Sequence, residues 1–166
     1  MASVKLRTSD ALIRQLSQIS GEGADEAAKR AIYVGAGYMA ERIKESLRGV
    51  VSENATGDLE KSLGITTIKL NRRGDWAAKI GFHGYDRKGT SNILKARILE
   101  SGSSKQRKRP FFSPAVKKYR TIAEERMKNE AEMTIEKYLE GGVNGMDWRK
   151  IPALLPLHRT DPGGRL

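Results

Sequence analysis

The side chains best suited to catalysis in this sequence are its two histidines. A histidine beside a carboxylate can move a proton near neutral pH, and histidines spaced with carboxylates can hold a metal ion. His83 and His158 have no metal-ligand spacing and no paired carboxylate nearby. We expect His83 on the surface of a strand and His158 in a proline-rich segment. Neither histidine therefore predicts a catalytic or metal site.

The carboxylates between residues 124 and 140 alternate with arginine and lysine at helical spacing, which is typical of a solvated, ion-paired helix face. The absence of cysteine rules out thiolate ligands, cysteine nucleophiles and disulfides. The motifs of serine hydrolases, phosphate-binding loops, zinc peptidases and EF-hands do not occur either. The sequence therefore predicts no catalytic residue, no cofactor and no enzyme activity.

The chain is strongly basic, with 31 Lys and Arg against 20 Asp and Glu and a formal charge of +11. This excess favours polyanions or acidic protein surfaces as partners. The densest basic run contains Lys105, Arg107, Lys108 and Arg109, and it has three interpretations: a phosphate contact, a contact for an acidic partner, or a solvated loop. No aromatic residue interleaves the run, so any DNA contact would be to phosphates and without sequence specificity.

Length and composition predict one soluble domain. A chain of 166 residues, 38% apolar and 31% charged, can build one core. The first residues lack the apolar run of a signal peptide, and no stretch approaches the ~20 apolar residues of a membrane span. We expect a protein that is made and kept in a cytoplasm, without membrane contact.

Two long helices are predicted to position everything else. The first runs from Glu22 to about Leu47, with apolar residues every three or four positions. Gly35 and Gly37 lie inside it, and because a helical glycine costs about 1 kcal/mol relative to alanine, we expect a sheet or a neighbouring subunit to pack closely there. The second helix is predicted to begin with Ser113 as N-cap and Pro114 at its first position.

The segments between the two helices predict a small antiparallel sheet. Residues 64–71 are β-branched, residues 71–75 form a turn, and residues 76–83 alternate between apolar and polar, which together indicate a β-hairpin. One or two helical turns precede it at residues 58–63. The periodicity of residues 93–100 fits a short helix or an extra strand equally well. A further short helix is predicted between the cluster Thr8-Ser9-Asp10 and Gly21.

The predicted fold class is therefore α+β, with two long helices packed on a small antiparallel sheet in residues 1–140. Residues 141–166 differ, because three of the five prolines and several glycines there exclude a continuous helix or strand. This segment is too apolar for a free tail, so we expect an extended arm that docks on another surface, which in an oligomer belongs to a neighbour. Its apolar residues are Trp148, Ile151, Leu154, Leu155 and Leu157.

Three short segments and their order resemble a known family. These are residues 56–62 (TGDLEKS), 96–104 (ARILESGSS) and 109–115 (RPFFSPA). They are similar to the patterns TGxLxxS, YAxxxExGTS and RPFLxPA of the small neck and tail-completion proteins of long-tailed double-stranded DNA phages. The resemblance covers roughly residues 5–140. It departs at Ala96-Arg97, Ser103 and Phe112, and it does not include the arm.

The resemblance implies a structural virion protein of the neck or tail, assembled in the host cytoplasm into a ring, most often of six subunits. Its partners would be copies of itself, the head connector and the tail-tube or terminator proteins, with weak contact between basic loops and the genome in the lumen. The pattern assigns a turn, a loop geometry and a helix anchor to Thr56, Gly57, Leu59, Glu100, Gly102, Pro110, Phe111 and Pro114.

Three alternatives stay open at this stage. A tail terminator or head-closure ring of the same neck has a similar size and occupies a neighbouring ring. A basic module that binds nucleic acid without sequence specificity belongs to a different class, and an enzyme is the third. The resemblance favours completion of the tail or joining of head and tail.

Overall fold

A computed structural model describes residues 3–7, 22–52 and 55–139 of the chain. The elements are, in order, β1 (Ser3–Arg7), α1 (Glu22–Arg48), α2 (Asp58–Lys61), β2 (Leu63–Ile65), β3 (Lys69–Leu70), β4 (Trp76–Phe82), α3 (Asn92–Ser101) and α4 (Phe112–Leu139). The predicted α+β class, with two long helices and a small antiparallel sheet, is confirmed. The short helix predicted before Gly21 and the arm predicted at residues 141–166, with its five apolar residues, lie outside the described residues.

Strand β4 is the centre of the sheet. It pairs antiparallel with β1 on one side and with β2 and β3 on the other. The predicted hairpin turn is present, with the Asn71 N–H donating to the Asp75 carbonyl at 2.8 Å and Gly74 at φ 82°. The first strand of the hairpin is divided into β2 and β3, because the Thr66 hydroxyl accepts the Lys79 N–H at 2.9 Å in place of a carbonyl.

The two long helices pack against each other in antiparallel directions. Near one end the Tyr138 hydroxyl donates to Glu26 of α1 at 2.5 Å, and Arg30 and Glu130 form an ion pair between the helices. Where Gly35 of α1 faces Met127 and Ala123 of α4, the small side chains let the backbones approach closely. The core that they share with the sheet includes Ala31, Ile32, Ala36, Met39, Ile43, Leu47, Ala78, Ile80, Phe82, Phe111, Phe112, Ala123, Met127 and Ala131.

The two glycines of α1 differ in their surroundings. A Cβ added at Gly35 would lie 2.3 Å from Cγ of Met127, so α4 packs directly against this position. A Cβ added at Gly37 would meet no atom within 4 Å among the described residues, so no part of the described chain packs closely there and contact with a neighbouring subunit stays a prediction. Two residues correspond to about 200° of rotation around a helix, and Gly37 therefore lies on the side away from α4.

Two elements of the structure were left open or not predicted by the sequence. Residues 93–100, which fitted a helix or a strand, form helix α3, and its Ala96 is fully buried. The Asn92 side chain fixes the start of this helix by donating to the His83 carbonyl at 3.1 Å. Strand β1 was not predicted, and it supplies the extra strand of the sheet.

Candidate functional site

Two of the three segments that carry the family resemblance, residues 96–104 and 109–115, meet where α4 begins. We call the group Leu99, Glu100, Gly102, Phe111 and Phe112 the joint. Its centre is the Glu100 carboxylate at the end of α3. Oε2 accepts the backbone N–H groups of Phe111 and Phe112 at 2.9 Å each, and Oε1 accepts the N–H of Ser113 at 2.9 Å. One carboxylate thus holds the first turn of a 28-residue helix.

This arrangement satisfies the N–H groups that a helix start leaves without partners. Phe112 and Ser113 donate to Glu100, Pro114 has no N–H, and Ala115 donates to the Phe111 carbonyl at 3.4 Å. The prediction of Ser113 as N-cap and Pro114 at the first helical position is therefore wrong by two residues. A carboxylate with two acceptor oxygens and a negative charge suits the positive end of the helix better than a serine hydroxyl.

The surroundings of Glu100 act on its pKa in two directions. Partial burial raises the pKa, whereas hydrogen bonds from the Ser113 side chain and from the three backbone N–H groups lower it. The hydrogen bonds outweigh burial, and the pKa of Glu100 lies below its usual value. The ionised carboxylate is therefore the form that the joint stabilises.

Two aromatic rings attach the joint to the core. Phe111 is fully buried and Phe112 is 4% exposed. The ring of Phe111 meets that of Phe82 edge to face at 5.8 Å, and the Ser46 hydroxyl of α1 donates to the Phe111 carbonyl at 2.8 Å. Pro110 and Pro114 are exposed, so the anchoring contacts with the core come from the two phenylalanines.

The loop between α3 and α4 is ordered by backbone contacts. Gly102 has φ 79°, and a Cβ there would lie 3.0 Å from the Lys108 nitrogen, so this position requires glycine on both counts. The Arg109 N–H donates to the Leu99 carbonyl at 2.7 Å. Lys105, Arg107, Lys108 and Arg109 are exposed, and the guanidinium of Arg109 reaches the Val50 carbonyl at 3.3 Å.

The segment with Thr56, Gly57 and Leu59 forms a turn beside the end of α1. Gly57 has φ 74° and precedes α2, while the Thr56 hydroxyl donates to Asp58 Oδ2 at 2.8 Å. Leu59 is half-buried against the core. An ion pair between Arg48 and Glu60 joins α2 to α1, and the hydrogen bond from Arg48 lowers the pKa of Glu60.

Two charged surfaces lie outside the joint. On α4, Arg120 pairs with Glu124 at 2.9 Å and Lys128 with Glu132 at 3.7 Å, as its alternating charges predicted. The outer sheet face, which we define by Lys5, Lys69 and Lys79, is turned away from the helices, and these three lysines are exposed. This face was not predicted from the sequence, because Lys5 belongs to the unpredicted strand β1.

A groove of about 730 Å³ runs beside the joint between β1, α3 and α4. Arg97, Lys117 and Arg120 line it together with Ser3 and Glu100. Glu100 uses both of its oxygens to hold α4 and Arg120 is paired with Glu124, so Arg97 and Lys117 are the cations of the groove without an ion-pair partner among the described residues. Among the described residues no strand pairs with the outer edge of β1, which opens on this groove.

The described residues offer little that resembles a reaction centre. His83 is half-buried rather than on the surface as expected, and its Nδ1 has no hydrogen-bond partner within the part of the chain that the structure describes. Its backbone N–H donates to the Ser62 carbonyl at 3.0 Å, so the residue connects β4 to the turn before β2. Within ranges 3–7, 22–52 and 55–139, no three His, Asp or Glu residues are placed to hold a metal ion.

None of the helices described here has the length and apolar character needed to cross a membrane. Comparisons of the chain with family models, with curated proteins and with solved structures gave no match.

Proposed function

We propose that this chain is a structural subunit of the neck or tail of a long-tailed phage. It assembles into a ring, most often of six copies, that completes the tail or joins head to tail, and it carries out no catalysis. The observation that carries the proposal is the joint: Glu100, Gly102 and Phe111, which belong to the family pattern, meet at one helix start and are used for backbone geometry and packing. These structural roles are the ones that the resemblance to the family assigns to the three residues.

Three exposed apolar side chains at and just before the start of α3 support self-association. Tyr85 is 74% exposed, Ile93 45% and Leu94 48%, and Tyr85 bridges to Ser91 just before α3 begins. We call these three residues the α3 patch. Apolar and aromatic side chains grouped on a surface are typical of the centre of a protein interface. We assign the α3 patch to the contact between neighbouring subunits.

The mass of the purified protein in solution tests the proposal. We expect a ring, alone or with the tail-tube protein, and we expect Leu94→Glu to reduce it to monomers because a charge would be buried at the interface. Met133→Glu is the matched control, since Met133 on α4 is 49% exposed and lies outside the α3 patch. Equal assembly of the two variants would contradict the role of the patch.

The arm requires its own experiment. We propose that residues 141–166 bind a neighbouring subunit through Trp148, Ile151, Leu154, Leu155 and Leu157. Deletion of residues 143–166 should then weaken or abolish the ring while the remaining domain stays folded, as circular dichroism would report. Unchanged assembly of the truncated chain would contradict a docking role between subunits.

The place in the neck is decided by the phenotype of virions without the protein. Separate full heads and finished tails support a joining role, and tails of uncontrolled length indicate the tail terminator. The head-closure alternative predicts heads that lose their DNA. A head-closure ring and a tail terminator belong to the same class of neck ring, so the assembly experiments above apply to all of these positions.

A further inference from the structure

We propose that the outer sheet face binds the phosphate backbone of duplex nucleic acid without reading its sequence. The contact residues are Lys5 of β1, Lys69 of β3 and Lys79 of β4, joined by Arg72 and Arg73 at the tip of the hairpin. All five side chains are exposed. This proposal concerns a function other than ring assembly. It assigns the phosphate contact to the sheet, whereas the sequence had offered the loop at residues 105–109 as one candidate for it.

The strand register places the lysines on one side of the sheet. Lys5 is the direct partner of Lys79, and Lys69 is the partner of Ala77, two residues before Lys79 on β4. Side chains two residues apart on a strand, and side chains directly opposite on paired strands, lie on the same face. The opposite face of β4 carries the buried Ala78 and Ile80, so the lysines lie away from the core.

The five cations have no ion-pair partner among the described residues. In the part of the chain that the structure describes, no carboxylate forms an ion pair with the five residues, although Arg120 and Lys128 on α4 are both paired. Like charges directly opposite on neighbouring strands destabilise a sheet, and Lys5 and Lys79 form such a pair. Lysine can protect the edge of a sheet, but Lys79 is on the central strand, where that explanation does not apply.

The hairpin tip extends the basic surface. Its backbone is fixed by Asn71, whose Oδ1 accepts the N–H groups of Arg73 at 2.7 Å and Asp75 at 3.1 Å. The Asp75 carboxylate accepts the Asn71 amide at 3.1 Å, so the one acid of the turn is held by the turn itself. A groove of about 660 Å³ lined by Lys5, Leu70, Asn71, Arg72 and Arg73 opens here.

The composition of the face favours a phosphate backbone over an acidic protein. On this face Ala77 lies beside Lys69, and Gly64 and Gly81 lie beyond Lys79, so the described part of the face has small residues next to the lysines and no aromatic residue. Protein interfaces concentrate aromatic side chains and contain little lysine, whereas phosphate contacts require mainly positive charge. The face also lacks a platform for base stacking, so we expect duplex and no base preference.

The test compares two variants of equal charge. In one, Lys5, Lys69 and Lys79 are each replaced by glutamine (Lys5→Gln, Lys69→Gln and Lys79→Gln); in the other, the exposed loop carries Lys105→Gln, Arg107→Gln and Lys108→Gln. Binding of a fluorescent duplex of about 20 base pairs is measured by anisotropy between about 50 and 200 mM NaCl. Thermal unfolding of both variants checks the fold, and their solution mass reports assembly independently of binding.

Because each neutralised phosphate contributes about 0.9 to the slope of log K against log salt, the sheet variant should lose about 2 to 3 units of slope and at least about tenfold in affinity. The loop variant should lose less than about one unit. Equal losses in both variants, or no duplex binding by the unmodified protein at about 50 mM NaCl, would overturn the proposal.

A competition experiment uses polyglutamate of the same charge as the duplex. We expect it to compete more weakly than the duplex, and tighter binding of polyglutamate through the same lysines would replace the duplex by an acidic protein as the partner. If the sheet variant loses duplex binding but keeps its ring, the phosphate contact is supported and the proposed function stands. If the unmodified protein binds the duplex but forms no ring, the phosphate contact stands and the proposed function fails.

Discussion

The joint and the outer sheet face use charged residues in opposite ways. In the joint, the Glu100 carboxylate is surrounded by three backbone N–H groups and is held in place by the chain itself. On the outer sheet face, Lys5, Lys69 and Lys79 have no carboxylate partner among the described residues, and two of them face each other. A charge that is partnered within the chain serves the fold, whereas a charge without a partner is available to a ligand.

The largest effect predicted from this contrast is on stability in the joint. Phe111 is fully buried against Phe82, and Phe111→Ala should lower the free energy of unfolding by about 3–5 kcal/mol through lost contacts and a cavity. Lys108→Ala, three residues earlier in the exposed loop, should change it by less than about 0.5 kcal/mol. Urea unfolding of both variants measures the difference, and equal losses would contradict the anchoring role of Phe111.

The carboxylate of the joint should give the next largest effect. Glu100→Gln keeps the size of the side chain but replaces one acceptor oxygen with an NH₂ group and removes the charge, so it should cost about 1–2 kcal/mol at pH 7. The isosteric Glu125→Gln on the exposed side of α4 is the control.

The same pair of variants gives the pH dependence. The pKa of Glu100 is lower in the folded chain than in the unfolded chain, so its stabilisation is present above the unfolded value of about 4.3 and is lost as the pH falls through the folded value. The difference between the unmodified protein and Glu100→Gln should therefore be constant near neutral pH and shrink below about pH 4. A difference that grows on acidification would contradict the pKa direction.

Packed and open positions of α1 extend the comparison to uncharged residues. Gly35→Ala puts a Cβ against Met127 and should cost about 1–2 kcal/mol after the gain in helix propensity. Gly37→Ala meets open space and should gain about 0.5–1 kcal/mol in the isolated subunit. Thermal unfolding at low protein concentration measures both, and opposite signs are the expected result.

The smallest predicted effect is a gain in stability on the outer sheet face, whereas the substitutions in the joint are predicted to lower stability. Lys79→Glu places a carboxylate opposite Lys5 and should raise the free energy of unfolding by about 0.2–1 kcal/mol, because a repulsive cross-strand pair becomes attractive. Lys79→Gln removes the repulsion without adding the attraction, so its free energy of unfolding should lie between those of the unmodified protein and Lys79→Glu. A loss of stability in both variants would show that the lysine pair carries no repulsion.

The sequence predicted those elements whose patterns are local. The apolar spacing of α1 and the alternation of β4 correspond to faces that are buried in the structure, since Ile32, Met39, Ile43, Ala78 and Ile80 are all in the core. The start of α4 was misplaced because its cap is a carboxylate twelve residues before the helix begins. Local signals favoured Ser113 and Pro114, and only the fold brings Glu100 to that position.

The outer sheet face could not be predicted from the sequence, because the pairing of distant strands is not visible in it. The run at residues 105–109 draws attention because its charges are adjacent in the chain, whereas Lys5, Lys69 and Lys79 are separated by as many as 74 positions in the numbering and meet only through strand pairing. Strand β1 is five residues long and has no turn signal that joins it to β4. Its register therefore could not be derived from periodicity.

The solution mass of the purified chain tests the central claim most directly. Assembly of six copies of the 18.4 kDa chain predicts a particle of about 110 kDa, alone or after addition of the tail-tube protein, and Leu94→Glu should shift it to the monomer mass. A monomer that ignores the tail protein and binds duplex DNA tightly at about 200 mM salt would contradict the structural role and favour a nucleic-acid-binding module.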